Sequence, residues 1–332
     1  MTDQTLVVAV FNEAQHWSLP KESIERLRSA LAPDVSVVAV QTRAQLVDRL
    51  DGATYLMGLP LIESQLAGRV DRLKFVQLVS AQAESLAPCQ TVIDHGGRVA
   101  GTAVVRAVPV AEHAIALLLA LLKRLDIAAQ AQANHRWAAA RIARRMGDLA
   151  DATVGIVNLG VIGDAIAQRL ASFDCELLAT GENEAAAQHV DRLLGPANLD
   201  ELVSRTDILV LADDPPGRTR SILDRALFEA MRPRTLLVNV ASGVAFAESE
   251  LLRAMRNGHV AGAALDCYEH RPLAPNSPLW NASDVLLTPA VSAASPSYWR
   301  RAVDATIENI RRLESGQELL DELTVQPQAA SA

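Results

Sequence analysis

The run Thr153-Val154-Gly155-Ile156-Val157-Asn158-Leu159-Gly160-Val161-Ile162-Gly163 constrains the fold more than any other part of the chain. Its first half is apolar enough for a strand buried on both faces, and its second half is a glycine turn that opens a helix-compatible segment. A strand that enters a helix through glycines brings unpaired backbone N–H groups and the positive end of the helix to one point, which suits a phosphate. Such a turn needs a sharp bend, a residue without a side chain where phosphate meets backbone, and close packing of helix on strand. Gly160 and Gly163 meet the last two needs. Asn158 stands where the first glycine would be, and asparagine is among the residues that best tolerate positive φ. The run therefore reads as a dinucleotide-binding fingerprint with its first glycine replaced. Asn158, Gly160, Val161, Ile162 and Gly163 are the candidate cofactor contacts.

The rest of the chain supplies a setting for this turn. Short apolar runs alternate with helix-length segments, the pattern of parallel sheets wrapped by helices. Early strands are expected at 6–10, 35–39, 55–58, 75–79 and 98–100. A long helix is expected from 109 to about 137, with Pro109 in its first turn and Val110, Ala114, Leu117, Leu118, Leu121 and Leu125 at helical spacing. A second, larger strand series follows the fingerprint at 176–179, 208–212, 236–240, 260–265 and 285–287. A last helix is expected at 297–315, after Pro296 and before Gly316, with a disordered tail at 325–332.

Composition narrows the classes. Half of the 332 residues are apolar, enough for two domains with cores. A net charge of -8, with scattered Lys and Arg, argues against a nucleic-acid surface or an anionic-membrane patch. Cys89, Cys175 and Cys267 are far apart and in no metal-ligand spacing, which fits reduced thiols in a cytoplasmic protein and no metal site. The start of the chain lacks the basic residues of a signal peptide. The apolar run 114–122 is bracketed by Glu112-His113 and Lys123-Arg124, well short of the roughly 18 residues a membrane span requires, so a buried helix is expected there.

Taken together, these segments resemble the D-isomer-specific 2-hydroxyacid dehydrogenases over nearly the whole chain. Val110-Ala111-Glu112-His113 is similar to the start of that family's interdomain helix, and 153–163 to its cofactor turn. The segment 207–216 followed by Thr219 resembles the strand and loop beside the cofactor, and 231–243 the next strand and its glycine turn. Leu265-Asp266-Cys267-Tyr268-Glu269 and Leu286-Leu287-Thr288-Pro289 complete the series. The resemblance implies an α/β chain of two doubly wound domains. A Rossmann-type domain at 104–292 would be inserted in a flavodoxin-like substrate domain made of 1–103 and 293–332. It also implies a homodimer, a small 2-hydroxy or 2-keto acid as substrate, and cofactor contacts at Gly181, Glu182, Asp213, Thr219, Val240, Ala241, Ser242, Asp266 and Ala290.

The family's chemistry is hydride transfer supported by an arginine on the carboxylate, a histidine that exchanges the proton, and a glutamate that tunes the histidine. None of the three stands at its place here: Ser242 replaces the arginine, Arg271 the glutamate, and Ala290 the histidine. An acid–base group contributes about 10²–10⁴-fold in rate, so ordinary family turnover is expected to be lost. On the cofactor side, Gly181 occupies the place of the acid that holds the adenosine ribose, with Glu182 one residue further. No arginine follows, and a carboxylate repels a 2′-phosphate, so NAD is preferred with NADP left open.

Replacement chemistry has few candidates. Arg271 restores, from the facing loop, the charge missing at Ser242; its plain alternative is a solvated residue beside Pro272. Arg106, just before the interdomain helix, is a substrate or pyrophosphate ligand or else a surface ion pair. His270, between Glu269 and Arg271, is the best substitute acid–base group, ahead of His113 and His95. Tyr268 and Ser242 offer hydroxyl donors, and Tyr298-Trp299 either covers the cleft or packs in a core. Ser80-Ala81-Gln82-Ala83-Glu84 aligns with the family's substrate-carboxylate loop but lacks its glycines. Three functions stand open: an oxidoreductase with a rebuilt site, a non-catalytic dinucleotide-binding scaffold or sensor, and a lyase or isomerase with tightly bound NAD.

Overall fold

The computed structural model describes residues 4–15, 17–58, 67–79, 90–213, 221–241 and 245–323. The segment 80–84, Cys89, Thr219, Ser242 and the tail 325–332 lie outside the described residues. The chain divides into two compact units, Met1–Arg106 with Ser295–Ala332, and Ala107–Ala294.

The first unit runs β1 (Gln4–Ala9), a two-residue antiparallel pair β2 (Phe11–Asn12) and β3 (Trp17–Ser18), α1 (Lys21–Leu31), β4 (Val35–Ala39), α2 (Arg43–Leu50), β5 (Tyr55–Gly58), β6 (Phe75–Leu78), α3 (Gln90–Asp94) and β7 (Arg98–Ala100). Its five-stranded sheet has the order β4-β1-β5-β6-β7 and every pairing is parallel. That is the flavodoxin-like order. Period-two alternation explains both layers. Leu6 and Val8 of β1 face a core with Ile24, Leu27 and Leu31 of α1, while Val7 and Ala9 face Leu46 and Leu50 of α2. Each such buried Val or Leu contributes about 1.5–3 kcal/mol.

The chain leaves this unit through α4 (Ala103–Leu122) and continues with α5 (Leu125–Ala133), α6 (Ala139–Ala143), β8 (Thr153–Val157), α7 (Val161–Leu170), β9 (Glu176–Thr180), β10 (Arg192–Leu194) and α8 (Leu199–Arg205). It then forms β11 (Ile208–Leu211), α9 (Arg225–Ala230), β12 (Thr235–Asn239), α10 (Glu248–Arg256), β13 (Val260–Leu265) and β14 (Val285–Leu287), and α11 (Tyr298–Glu314) returns to the first unit. The seven strands stand in the order β10-β9-β8-β11-β12-β13-β14, all parallel. The direction of winding reverses between β8 and β11, the place where sheets of this kind bind ligands. Both faces of the sheet are covered: Ile208 and Val210 of β11 join Leu117, Leu121 and Ile166 on one side, and Leu209 and Leu211 join Leu202 and Phe228 on the other. The fold is therefore α/β, a Rossmann-type domain inserted in a flavodoxin-like one.

The long helix departs from the sequence expectation at both ends. It starts at Ala103, six residues before Pro109, because Asp321, distant in sequence, accepts a hydrogen bond from Ala103 N at 2.5 Å. Pro109 sits inside the helix and costs it one backbone hydrogen bond. The helix ends at Leu122 because Arg124 turns left-handed at φ 55, its buried guanidinium held by Asp126 and Asp284. With 20 residues and a mean hydropathy of 1.8, α4 is long and apolar enough to cross a membrane, yet half of it is buried inside the protein. Val110, Ala114, Leu117, Leu118 and Leu121 belong to the core of the second unit, which accounts for the apolar stripe. The short strand β10 was not anticipated, since Arg192-Leu193-Leu194 carries no run long enough to signal it.

Candidate functional site

The glycine turn lies at the carboxyl end of β8, beside the reversal of strand order. Asn158 adopts φ 64, the left-handed conformation asparagine tolerates better than most residues. Asn158 N donates to Thr180 Oγ1 at 3.2 Å and Leu159 N to Thr180 O at 2.7 Å, which ties the turn to the end of β9. Gly160 is the N-cap of α7 and offers no capping side chain. A Cβ on Gly163 would stand 2.6 Å from Asn158 O, so only glycine lets the helix start pack this closely on the turn. Val161 is partly exposed and Ile162 is buried in the core.

Gly181, just past the end of β9, has φ 154, donates from its N to Leu194 O at 3.0 Å, and leaves only 3.0 Å between a built Cβ and Leu159 N. The close approach of the β9 end to the turn thus demands glycine at 181, and the exposed Glu182 is the acid left within reach of that edge. Asp213, a cofactor-contact candidate from sequence, has a partner within the turn. Its Oδ2 accepts hydrogen bonds from Ile162 N at 3.0 Å and Gly163 N at 3.1 Å. The carboxylate is engaged with the helix start itself.

Further along the same edge, Asn239 is buried at the end of β12, and its Oδ1 accepts from Ala241 N at 3.2 Å, while Val240 N donates to Leu211 O at 3.1 Å. Asp266, 1% exposed at the end of β13, organises the loop after β14. It accepts from Thr288 Oγ1 at 2.7 Å, Val291 N at 3.0 Å and Ser292 N at 2.8 Å. Within that loop Ala290 turns left-handed at φ 57. His113 Nε2 lies 3.0 Å from Thr288 Oγ1 and 3.6 Å from Asp266 Oδ1, so it belongs to this support. The Thr288 and Ser292 contacts with Asp266 carried no local signal in the sequence.

The replacement candidates separate. His270 and Arg271 are both exposed on the loop after β13. Next to them Glu248 and Glu269 exchange backbone-to-carboxylate bonds of 3.0 and 3.2 Å. Burial, and then the Glu269 carboxylate, push Glu248 above the usual carboxylate range, against the opposing charge of His270. Tyr268 is not an available donor: its hydroxyl is buried 2.8 Å from Leu265 O and 2.7 Å from Thr288 O, and burial raises its pKa. Tyr298 donates to Val79 O at 2.9 Å and is pushed up to about 12 by burial, while Trp299 stacks on Trp17 at 5.1 Å. Those two aromatics are packing residues of the first unit. Arg106 is half-buried in that unit, where burial raises the pKa of both Tyr298 and Asp321 and the Arg106 charge partly offsets the rise. Exposed His95 faces Thr91 O at 2.7 Å. Among the described residues no three His, Cys, Asp or Glu side chains cluster as metal ligands.

The turn already holds one anionic oxygen. Two amides converge on the carboxylate oxygen of Asp213 there, and Gly160 adds no side chain of its own. A parallel sheet with such a helix start at its reversal defines a dinucleotide-binding protein. Residues 115–292 match the D-isomer specific 2-hydroxyacid dehydrogenase, NAD binding domain, and the chain belongs to that family. It is 32% identical over 208 residues to glyoxylate/hydroxypyruvate reductase A of Photorhabdus laumondii, a match covering 62% of this chain and 64% of that one. It is 28% identical over 315 residues to glyoxylate/hydroxypyruvate reductase A HPR2 of Arabidopsis thaliana, covering 93% and 91%. Among solved structures, a D-isomer specific 2-hydroxyacid dehydrogenase of Xanthobacter autotrophicus in complex with NADPH and MES superposes with a TM-score of 0.79 at 23% identity, over 97% of this chain and 98% of that one.

Proposed function

We propose that this chain is an oxidoreductase that uses NAD, or NADP, on a small 2-hydroxy or 2-keto acid at a site rebuilt from the family's. The observation that carries the reading is the pair of amides at the start of α7 that already donate to one anionic oxygen at the sheet's reversal. The dinucleotide would supply the hydride acceptor or donor. Gly160, Ile162 and Gly163 would hold its pyrophosphate, Glu182 its ribose, and Val240, Ala241, Asp266 and Ala290 line the edge beyond. Of this chain's own side chains, Arg271 is the cation for the acid's carboxylate and His270 the proton carrier, with Ser242 as a hydroxyl donor and Thr219 as a cofactor contact. The first unit, 1–103 with 293–332 in the sequence reading, is the substrate domain.

Two further assignments belong to the same reading. A homodimer is supported by the large apolar side chains the second unit leaves in solvent, Trp137 at 96% and Trp280 at 54% exposed. A cytoplasmic setting is supported by free Cys175 and Cys267. The test is NADH binding followed by fluorescence, then turnover against glyoxylate, hydroxypyruvate, pyruvate and phenylpyruvate. Arg271→Ala and His270→Ala are expected to lower any turnover found while leaving NADH binding in place. A second reading, a non-catalytic dinucleotide-binding scaffold, is favoured by one observation: Tyr268 and Asp266 are engaged in holding loops and Ala290 has no proton to exchange. Tight NADH binding without turnover on any acid would select it.

A further inference from the structure

An α-helix leaves its first N–H groups without partners in the helix, and a capping side chain ordinarily accepts from one of them. Gly160, the N-cap of α7, has none to offer. The acceptor comes instead from the residue two beyond the end of β11, on the far side of the reversal, where Asp213 Oδ2 takes the N–H groups of Ile162 and Gly163 at 3.0 and 3.1 Å. The carboxylate lies directly over Gly160. A Cβ built there would stand 2.7 Å from the same oxygen, so the open approach that a phosphate needs is the one the carboxylate uses.

We infer that Asp213 is a built-in competitor for the dinucleotide's pyrophosphate: its carboxylate fills the anion position at the start of α7, and a dinucleotide binds only when that side chain leaves. Like charges at contact repel, and one pair of amides cannot serve two anions. The apparent affinity is therefore reduced by the fraction of molecules in which Asp213 has swung away. The same contact stabilises the ligand-free protein, because an anion at a helix N-terminus is favourable. The competitor thus has a signature that a merely structural cap lacks: its removal weakens the free fold and strengthens ligand binding. The inference rests on the reading that this turn takes a nicotinamide dinucleotide.

The experiment uses the full chain and its Asp213→Ala and Asp213→Asn variants. NADH and NADPH binding is followed by fluorescence, and inorganic pyrophosphate binding by thermal shift. Removing the carboxylate is expected to tighten NADH binding about ten- to a hundredfold. Pyrophosphate is expected to raise the melting temperature of both variants and not that of the original chain. Asp213→Asn removes the charge while keeping an oxygen that can accept the two N–H groups, so it decides the matter if Asp213→Ala does not fold. Unchanged NADH affinity in folded variants of a chain that binds NADH overturns the inference and leaves the dinucleotide reading standing. Folded variants that bind neither nucleotide nor pyrophosphate overturn that reading, and the inference with it.

Discussion

Two aspartates at the same edge of the seven-stranded sheet do similar chemistry to opposite purpose. Asp266, beyond β13, gathers a hydroxyl and two backbone N–H groups of the loop after β14, at 2.7 to 3.0 Å, and is 1% exposed. Asp213, beyond β11, gathers two N–H groups of α7 and is half-buried. The first is itself buried, together with Ser292 among its donors, and it builds the loop. The second holds groups that must be available to a ligand if the turn works as its geometry suggests. The difference teaches that a buried acid and a site-filling acid are separated by what their donors would otherwise face.

The sharpest way to break this comparison is Asp266→Ala. It takes the acceptor from a hydroxyl and two amides, the Ser292 amide buried among them, and should cost about 3 kcal/mol in urea unfolding. A loss similar to that of Asp213→Ala would mean the loop is held by other contacts. Gly163→Ala comes next. Its Cβ would meet Asn158 O at 2.6 Å, so the helix start must shift, at a cost of about 2 kcal/mol. In that background Asp213→Ala should cost nothing further, a coupling that a double-mutant cycle reads. By itself Asp213→Ala is expected to cost about 1 kcal/mol, the ordinary worth of a charged cap whose donors water can solvate.

The smallest effect belongs to a third acid of the same region. Glu248 accepts a backbone N–H from Glu269, yet burial and its carboxylate neighbour raise its pKa. A carboxylate raised in the folded state makes the fold bind protons more tightly than the unfolded chain, so its penalty is absent below the ordinary value of 4.5 and full well above it. Glu248→Gln keeps the acceptor and removes the charge. It should stabilise by a few tenths of a kcal/mol near neutral pH, after solvent screening, and by nothing at pH 4. Equal gains at both pH values would show that the charge is not the cause.

Most strands were legible because each is a continuous apolar run, as at Val260–Leu265 and Tyr55–Gly58. The true start of α4 was not, because it depends on Asp321, far along the chain. The bend at Asn158 was readable from residue type, and φ 64 shows the conformation it adopts. The role of Asp213 was not readable, since its partners are 50 and 51 residues away and no local period marks a contact across the reversal of a sheet. Tyr268 offered a hydroxyl in sequence, and folding turned it onto two carbonyl oxygens.

Local chemistry alone settled that this chain forms parallel sheets and a glycine turn built for a phosphate, because strand burial, helix starts and positive φ are properties of short segments. The resemblance read from sequence also puts Ser242, Arg271 and Ala290 at the family's catalytic positions, which stands as an expectation. Which acid supports a loop and which one occupies the anion position was decided by the tertiary structure. Hydrogen bonds between side chains and amides on different strands exist only after the order β10-β9-β8-β11-β12-β13-β14 has brought them together.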